Sequence, residues 1–247
     1  MTDPWLRRFH PADDAPARLV CLPHAGGAAA FFHGMSKAIA PAADVLAVQY
    51  PGRQDRMTEP ALYSVPELAD AITQSLVSWF DLPVVLFGHS MGATLAYEVA
   101  LRLESRGLFP SAVAVSGRRA PSRLVPETVH RQGDDALLSE IEGLAGTDPR
   151  VLEDPELREL ILPALRADYT AIETYQPTHG RLTVPLHAHT GDADTHAPVP
   201  DVNAWTDYTT ADFTLTTYPG GHFYLVDEAP ALTAALLKLL TTAGGGV

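Results

Sequence analysis

The sequence predicts an α/β fold in which a mostly parallel sheet is flanked by helices. Short apolar runs alternate with longer amphipathic stretches, and each short run ends near a glycine or a proline. Apolar residues make up 46% of the 247 residues, which is enough for a sizeable core. We expect one domain, residues 1–247, because α/β architectures often reach about 250 residues as a single unit.

The predicted strands are continuous apolar runs that end at turn residues. They cover residues 18–22, 45–50, 84–87, 112–116, 186–190 and 213–218. Helices are predicted where apolar residues recur at every third or fourth position, as Leu68, Ile72 and Leu76 do. They cover residues 66–80, 91–104 and 229–240.

Between residues 118 and 177 the alternation stops and the pattern becomes helical. Helices are predicted at residues 134–144 and 156–175, and a break at Pro163 is left open. An insertion at this point can cover the strand ends at which ligands bind in open α/β sheets. We therefore expect segment 118–177 to be a helical lid within the same domain.

Charge and cysteine content exclude several functional classes. The 17 Lys and Arg are outnumbered by 30 Asp and Glu, and the net charge of −13 is opposite to that of nucleic-acid or anionic-membrane binders. Cys21, the sole cysteine, lies in a predicted strand, which favours a buried apolar role over a catalytic one. The N-terminus lacks a signal-peptide pattern, and no apolar run approaches about 20 residues. We expect a cytoplasmic monomer that binds neither nucleic acid nor a membrane.

The strongest local signal for chemistry lies at residues 84–93, where a strand is followed by Gly-x-Ser-x-Gly and a helix. A serine on such a sharp turn has an exposed hydroxyl, and the glycines let strand and helix approach each other. The five-residue pattern alone fits a glycine-flanked turn serine equally well. Because a strand precedes it and a helix follows it, Ser90 is the candidate nucleophile.

A serine nucleophile needs a base, and the base needs an acid that orients it. His222 follows the last predicted strand, and Asp194 follows the strand before it. The chain order Ser90, Asp194, His222 is that of an α/β-hydrolase. Asp192 is the rival acid, although Asp194 is preferred.

An oxyanion hole needs two backbone N–H groups. Met91 begins the helix after the serine and is predicted to donate the first. Residues 22–27, Leu-Pro-His-Ala-Gly-Gly, form the loop after the first strand, in which Ala25 is the preferred second donor and Gly26 the next. A plain tight turn is the alternative role for this glycine pair.

A metal site is not expected. Four histidines lie close together in the sequence without a metal-binding pattern such as His-Glu-x-x-His: His179, His187, His189 and His196. His24 and His89 flank the candidate site, but neither stands where the base is needed.

Four segments together carry a family resemblance. They are Gly-His-Ser-Met-Gly-Ala at 88–93, Leu-Pro-His-Ala-Gly-Gly at 22–27, Tyr-Pro-Gly-Arg at 50–53 and Gly-Gly-His-Phe at 220–223. With them the chain resembles the type II thioesterases of the α/β-hydrolase superfamily, the stand-alone editing enzymes of polyketide synthases and nonribosomal peptide synthetases. The resemblance covers nearly the whole chain, and residues 163–169 are similar to the family's lid helix.

The resemblance implies Ser90 as nucleophile, His222 as base and Asp194 as the partner of the base. It also implies a substrate, which is an acyl group on the phosphopantetheine arm of an acyl or peptidyl carrier protein. Hydrolysis would pass through an acyl-serine and need no metal and no diffusible cofactor. Another serine hydrolase of this fold (a carboxylesterase, a lipase or a cyclising thioesterase) and a catalytically silent carrier-binding module are the alternatives.

Arginines are the expected contacts to an acidic carrier protein, because a net charge of −13 would otherwise repel it. The arginine-rich segments contain Arg53 and Arg56, and Arg118, Arg119 and Arg123. A role as solvated surface residues is the alternative for each of them.

Overall fold

The structure is a computed structural model that describes residues 3–144 and 154–244. Its centre is a seven-stranded sheet with the order β1-β3-β2-β4-β5-β6-β7. The strands are β1 (Leu6–Arg7), β2 (Arg18–Leu22), β3 (Asp44–Val48), β4 (Val84–His89), β5 (Ala112–Ser116), β6 (Leu186–Gly191) and β7 (Phe213–Tyr218). Strand β1 is antiparallel to β3 at one edge, and all the other neighbours are parallel.

Helices cover both faces of this sheet. They are α1 (His33–Ile39), α2 (Val65–Leu76), α3 (Met91–Ser105), α4 (Asp134–Gly143), α5 (Pro155–Glu173), α6 (Val199–Asn203), α7 (Tyr224–Asp227) and α8 (Ala229–Gly244). Helices α2 and α3 contribute to the core on one face, and α1 and α8 to the core on the other. Within the described ranges, no helix is both long enough and apolar enough to span a membrane.

Strand β2 shows why the strands appear as uninterrupted apolar runs. Val20 and Leu22 belong to one core, whereas Leu19 and Cys21 belong to the other. Both faces must therefore be apolar, as is usual in parallel sheets covered by helices on each side. Cys21 is fully buried, and burial raises the pKa of its thiol far above the ordinary range, so the residue serves as part of the core.

Helices α4 and α5, between β5 and β6 in the chain, lie near the carboxyl-terminal ends of the strands, where Ile141 and Tyr169 line a cavity with Ser90. The two helices form a small apolar cluster of their own from Leu137, Leu138, Ile141, Leu165 and Tyr169. Ala25, in the loop after β2, packs against this cluster. Contacts of this kind join the helical segment to the sheet edge.

The predicted strands all form, with ends that differ from the predicted ones by at most two residues, but some features were left open or not predicted. Helix α5 runs through Pro163 without a break. The residues that follow, such as Leu165 and Tyr169, are buried, and this packing compensates for the hydrogen bond that proline removes. Strand β1 and the short helices α1, α6 and α7 were not predicted. Two residues such as Leu6–Arg7 carry no periodicity, and only their pairing with β3 makes them a strand.

Two helical glycines offer a matched test of the packing between α3 and the sheet. A Cβ at Gly92 would lie 2.0 Å from the carbonyl oxygen of Leu22, whereas a Cβ at Gly34 meets no atom within 4 Å. We expect Gly92→Ala to lower the free energy of unfolding by about 3 kcal/mol because two backbone segments must separate. Gly34→Ala should raise it by about 0.5–1 kcal/mol through helix propensity. Urea denaturation followed by circular dichroism measures both, and an unchanged midpoint for Gly92→Ala would contradict this contact.

Candidate active site

Ser90 lies at the turn between β4 and α3. Its backbone has φ 55° and ψ −117°, a region that residues other than glycine rarely adopt. The N–H of Ser90 donates a hydrogen bond of 2.8 Å to the carbonyl oxygen of Ser116 in β5, which holds the turn in place. Strain of this kind costs about 1–3 kcal/mol and persists only where the surroundings impose it.

The glycines on either side of Ser90 are required by close backbone contact. A Cβ at Gly88 would lie 1.9 Å from the carbonyl oxygen of Gly92, and Gly92 in turn packs directly on β2. Any side chain here would push the helix away from the strand. The glycines therefore bring the first residue of α3, Met91, to the sheet edge beside Ser90. Its N–H has no acceptor within the helix, because the first N–H groups of a helix never do.

His222 and Asp194 meet at the ends of the last two strands. His222 Nδ1 lies 2.9 Å from Asp194 Oδ2, and both side chains are buried. Asp194 Oδ1 accepts the backbone N–H groups of His196 and Ala197 at 2.9 and 3.0 Å. With Nδ1 engaged by the carboxylate, Nε2 is the nitrogen left for Ser90, and both His222 and Ser90 line the same cavity.

The charge on Asp194 is stabilised locally. Burial by itself disfavours the ionised carboxyl, but the hydrogen bond and positive charge of His222 outweigh it, as do the N–H groups of His196 and Ala197. The pKa of Asp194 therefore lies below its ordinary value. An ionised carboxylate at Nδ1 keeps the proton on that nitrogen and leaves Nε2 free to act as a base.

The rival carboxylate has a different partner. Asp192 Oδ1 accepts the backbone N–H of Gly220 at 3.0 Å, so it stabilises the turn that leads to His222 and does not contact the imidazole. The structure thus brings Asp194, and not Asp192, to the histidine ring.

The loop after β2, residues 23–28, passes beside Ser90. The N–H of Gly26 is engaged, since it donates to Asp168 Oδ2 at 2.7 Å. The N–H of Ala25 has no hydrogen-bond partner among residues 3–144 and 154–244. Ala25 also lines the cavity with Ser90, whereas Gly26 does not. Of the two candidate donors, Ala25 is the one with a free N–H.

A buried ion pair holds this loop. The Arg53 guanidinium donates to both carboxylate oxygens of Asp168, at 2.6 and 2.8 Å, and to the carbonyl oxygen of Gly27 at 3.0 Å. The Leu165 side chain closes the same corner, because a Cβ at Gly26 would lie 2.8 Å from its Cδ1. Helix α5, the turn after β3 and the loop after β2 are therefore joined at one point.

Two further histidines surround the site in the neutral form. Burial, together with the positive charges of His222 and Arg53, lowers the pKa of His24 to about 3. Burial and the neighbouring His222 and His24 also place the pKa of His89 well below its ordinary value. His89 Nδ1 lies 2.9 Å from Ser116 Oγ, which in turn lies 2.7 Å from the Tyr224 hydroxyl. The His89 ring packs on His222 with centroids 5.1 Å apart, and the His24 ring packs on Phe223, the residue after His222.

A family model for the thioesterase domain matches residues 17–240. The chain belongs to the thioesterase family. This thioesterase is 50% identical to the thioesterase PikA5 of Streptomyces venezuelae over 91% of its own length and 81% of the relative's. It is 47% identical to the probable cadicidin biosynthesis thioesterase of Streptomyces griseus over 96% of its own length, and it spans 66% of that relative.

Among solved structures, the type II thioesterase BorB from the borrelidin biosynthetic cluster superposes on this thioesterase with a TM-score of 0.91. The two are 46% identical, and the match covers 97% of this chain and 99% of the other. The thioesterase therefore has the α/β-hydrolase fold, as the sequence predicted, and it is a thioester hydrolase of the type II group.

The expectation about the arginines needs correction. Arg53 and Arg56 are buried in this thioesterase and cannot face a partner. Arg56 forms an ion pair with Glu59 at 2.5 Å and donates to the carbonyl oxygen of Gln49. Arg118 is half-buried in the active-site cavity, and only Arg123 of the second segment is exposed. The sequence shows arginines close together, but it does not show that most of them are committed to the interior.

Three of the four clustered histidines have different hydrogen-bond partners or surroundings, although His187 and His189 both lie on β6. His187 Nδ1 lies 2.7 Å from Thr214 Oγ1, His189 Nδ1 lies 3.0 Å from the Tyr218 hydroxyl, and His196 lines the active-site cavity. Within residues 3–144 and 154–244, no three His, Cys, Asp or Glu side chains converge as metal ligands would.

Sequence reasoning missed Asp168, which stabilises the loop after β2. It lies 115 residues from Arg53 along the chain, and no spacing rule relates the two. The resemblance of residues 163–169 to a lid helix was the one signal that pointed to this region.

Removing the charge of Asp168 should impair catalysis more than binding. In Asp168→Asn the pair with Arg53 is broken and the Ala25 N–H shifts, so we expect kcat for thioester hydrolysis to fall by about ten- to a hundredfold with little change in KM. Asp134→Asn is the matched control, since Asp134 forms an exposed ion pair with Arg166 at 2.5 Å between α4 and α5. The kcat and the free energy of unfolding of this control should stay close to those of wild type, because exposed ion pairs contribute little to stability.

Steady-state kinetics with a small thioester, alongside urea denaturation, tests this expectation. A structural role alone would reduce kcat only in proportion to the folded fraction. A rise in KM at constant kcat would contradict a role in positioning the loop.

Proposed function

We propose that this thioesterase hydrolyses acyl groups from the phosphopantetheine thioester of acyl or peptidyl carrier proteins, and thereby removes stalled or aberrant acyl units. The observation that carries the proposal is the set Ser90, His222 and Asp194 at a covered cavity, in a chain that belongs to the type II thioesterases. The relatives named above for cadicidin and borrelidin biosynthesis support the same class of pathway. The enzyme acts as a cytoplasmic monomer in this proposal.

In the first half of the proposed reaction, His222 Nε2 takes the proton of Ser90 Oγ as the oxygen attacks the thioester carbonyl carbon. The carbonyl oxygen becomes an oxyanion that accepts the N–H groups of Met91 and Ala25. Asp194 stabilises the imidazolium through Nδ1. When the carbon–sulfur bond breaks, the pantetheine sulfur takes the proton from His222 and leaves as a thiol.

The second half hydrolyses the acyl-serine. Water gives a proton to His222 Nε2 as it attacks the ester carbon, and the same two N–H groups stabilise the second oxyanion. Ser90 Oγ then leaves and recovers its proton from His222, so that the products are a carboxylic acid and the free enzyme. Side chains, backbone groups and water account for every bond and proton, and the proposal therefore includes no metal and no cofactor.

The helical segment 118–177 acts as the lid in this proposal, within a single domain formed by residues 1–247. Apolar side chains of the segment line the cavity together with Ser90; they include Leu124, Ile141 and Ile172. An apolar wall opposite the nucleophile suits the hydrocarbon part of an acyl group and excludes water from the thioester.

Mass spectrometry of loaded carrier protein tests the proposed function. We expect wild type to remove acetyl, propionyl and longer acyl groups from a phosphopantetheinylated carrier, with the short groups removed fastest, and Ser90→Ala to leave the carrier loaded. Labelling with a fluorophosphonate probe reports whether Ser90 is reactive in the folded protein. Hydrolysis of simple esters without unloading of the carrier would instead identify a small-molecule esterase, and an unlabelled Ser90 would identify a silent binding module.

The two aspartates after β6 provide a matched pair for the orienting acid. We expect Asp194→Asn to lower kcat by about 10³–10⁴-fold, because a neutral amide no longer selects the required tautomer of His222. Asp192→Asn should stay close to wild type, since its amide oxygen can still accept the N–H of Gly220. Kinetics of both variants on the same loaded carrier decide the matter, and the reverse order of effects would assign the role to Asp192.

A further inference from the structure

A row of polar side chains is buried at the end of the sheet that carries Ser90. In the sheet register His89 of β4 lies opposite Ser116 of β5, and Ser116 lies opposite His189 of β6. All three side chains are buried, and β4 and β5 are otherwise apolar. Because a buried polar group lowers stability unless it is hydrogen-bonded, such a row indicates a use other than packing.

Ser116 links the turn at the nucleophile to the helix that follows the base. Its carbonyl oxygen accepts the N–H of Ser90 at 2.8 Å. Its Oγ lies 2.9 Å from His89 Nδ1 and 2.7 Å from the hydroxyl of Tyr224, the first residue of α7. Tyr224 comes two residues after His222 in the chain. One serine in β5 therefore joins the residue before the nucleophile to the residue two places after the base.

The ring of His89 also packs on the base itself. Its centroid lies 5.1 Å from that of His222 and 5.2 Å from that of Phe223. A hydrogen bond at Nδ1 restrains the rotation of this ring, and an apolar ring at the same position would have no such restraint. Ser116 therefore orients the face of His89 against which His222 rests.

The sheet alone connects the nucleophile and the base only step by step. Ser90 follows β4 and His222 follows β7, and β5 and β6 lie between these strands in the sheet. Main-chain ladders pass from each strand to the next, whereas the contacts of Ser116 pass from β4 through β5 directly to α7. A direct connection matters because a catalytic constellation has to be held to within about 0.5 Å.

The geometry points to Ser116 as a positioning residue that holds His222 at the distance from Ser90 that proton transfer requires. It acts through its contacts with His89 and Tyr224. In the described part of the chain, none of these three residues lines the cavity that contains Ser90, so their effect on the reaction does not come from contact with substrate. The inference rests on the proposed function only in taking Ser90 as the nucleophile and His222 as the base.

Two tyrosines provide a matched test. Tyr218 and Tyr224 are both buried and stack on each other with ring centroids 4.9 Å apart. The Tyr224 hydroxyl contacts Ser116, whereas the Tyr218 hydroxyl lies 3.0 Å from His189 Nδ1, one strand further from Ser90. Phenylalanine at either position removes a single oxygen and keeps the stack.

We expect Tyr224→Phe to lower kcat for a small thioester by about tenfold with KM unchanged, because a slight misplacement slows the reaction without weakening binding. Tyr218→Phe should keep kcat within about twofold of wild type, although both variants lose one buried hydrogen bond and should shift the urea midpoint alike. The rate of labelling by a fluorophosphonate probe should fall in proportion to kcat, since the probe reacts with Ser90 without an acyl chain or a pantetheine arm.

Ser116→Ala removes both side-chain contacts at once and should lower kcat by about ten- to a hundredfold. Adding Tyr224→Phe to Ser116→Ala should cost little more, because the Tyr224 hydroxyl acts through Ser116. Losses that multiply in the double variant would show that the tyrosine acts elsewhere and would overturn the inference. The tyrosine pair decides the question even if Ser116→Ala is too unstable to assay.

An equal loss of kcat in Tyr224→Phe and Tyr218→Phe would also overturn the inference, since it would indicate a general loosening of the packing. A rise in KM at constant kcat, or a Tyr224→Phe enzyme as fast as wild type, would do the same. The proposed function fails separately. A wild-type enzyme that is labelled at Ser90 but does not unload carrier protein would contradict that function and leave the positioning role of Ser116 intact.

Discussion

The buried pair of Arg53 and Asp168 joins three parts of the chain that are far apart in sequence: the turn after β3, helix α5 above the sheet, and the loop after β2. Both carboxylate oxygens of Asp168 are engaged, and one of them also accepts the N–H of Gly26. Loss of one partner would leave a buried charge uncompensated, which typically costs about 3–5 kcal/mol. Ala25, the residue before Gly26, lines the cavity, and its N–H has no hydrogen-bond partner among residues 3–144 and 154–244. The same ion pair therefore constrains both helix α5 and the loop after β2.

The other half of the site depends on backbone contact at the sheet edge. Gly88 and Gly92 let α3 touch β2 and β4, and this contact holds Ser90 in its strained conformation. The hydrogen bond from Ser90 to Ser116 links the elbow to β5, whose continuation leads to Gly117 and Arg118. Ser90, Arg118 and His222 thus follow β4, β5 and β7, and a parallel sheet places such residues together because the carboxyl ends of its strands meet at one edge.

Several arginines of the thioesterase form ion pairs within the chain, and the pair of Arg53 and Asp168 is buried on both sides. Arg53 pairs with Asp168, Arg56 with Glu59, and Arg102 with Asp70. Arg118 differs, since it lines the cavity beside Ser90 and forms no ion pair with a residue in 3–144 or 154–244. His24 and His89 stay neutral beside His222, so that the histidine with a carboxylate partner is the one placed to move protons.

The sequence by itself determined the α/β class and all the strands longer than two residues, and it selected Ser90, Asp194 and His222, the residues that we propose as the catalytic set. Continuous apolar runs and Gly-x-Ser-x-Gly after a strand are local patterns, which the sequence shows directly. The order Ser90, Asp194, His222 can also be followed along the chain without a structure. It left open the choice between Asp194 and Asp192, which lie two residues apart at the same strand end. Only the tertiary structure brings the carboxylate of one to His222 and that of the other to Gly220.

Tertiary structure also decided strand β1, the unbroken helix through Pro163 and the burial of Arg53. Each of these depends on a partner distant in the chain. Strand β1 depends on β3, helix α5 depends on the residues packed against it, and the burial of Arg53 depends on Asp168. Local propensity predicts elements, whereas pairing and burial depend on which elements meet. That is a property of the whole fold, and no short stretch of sequence contains it.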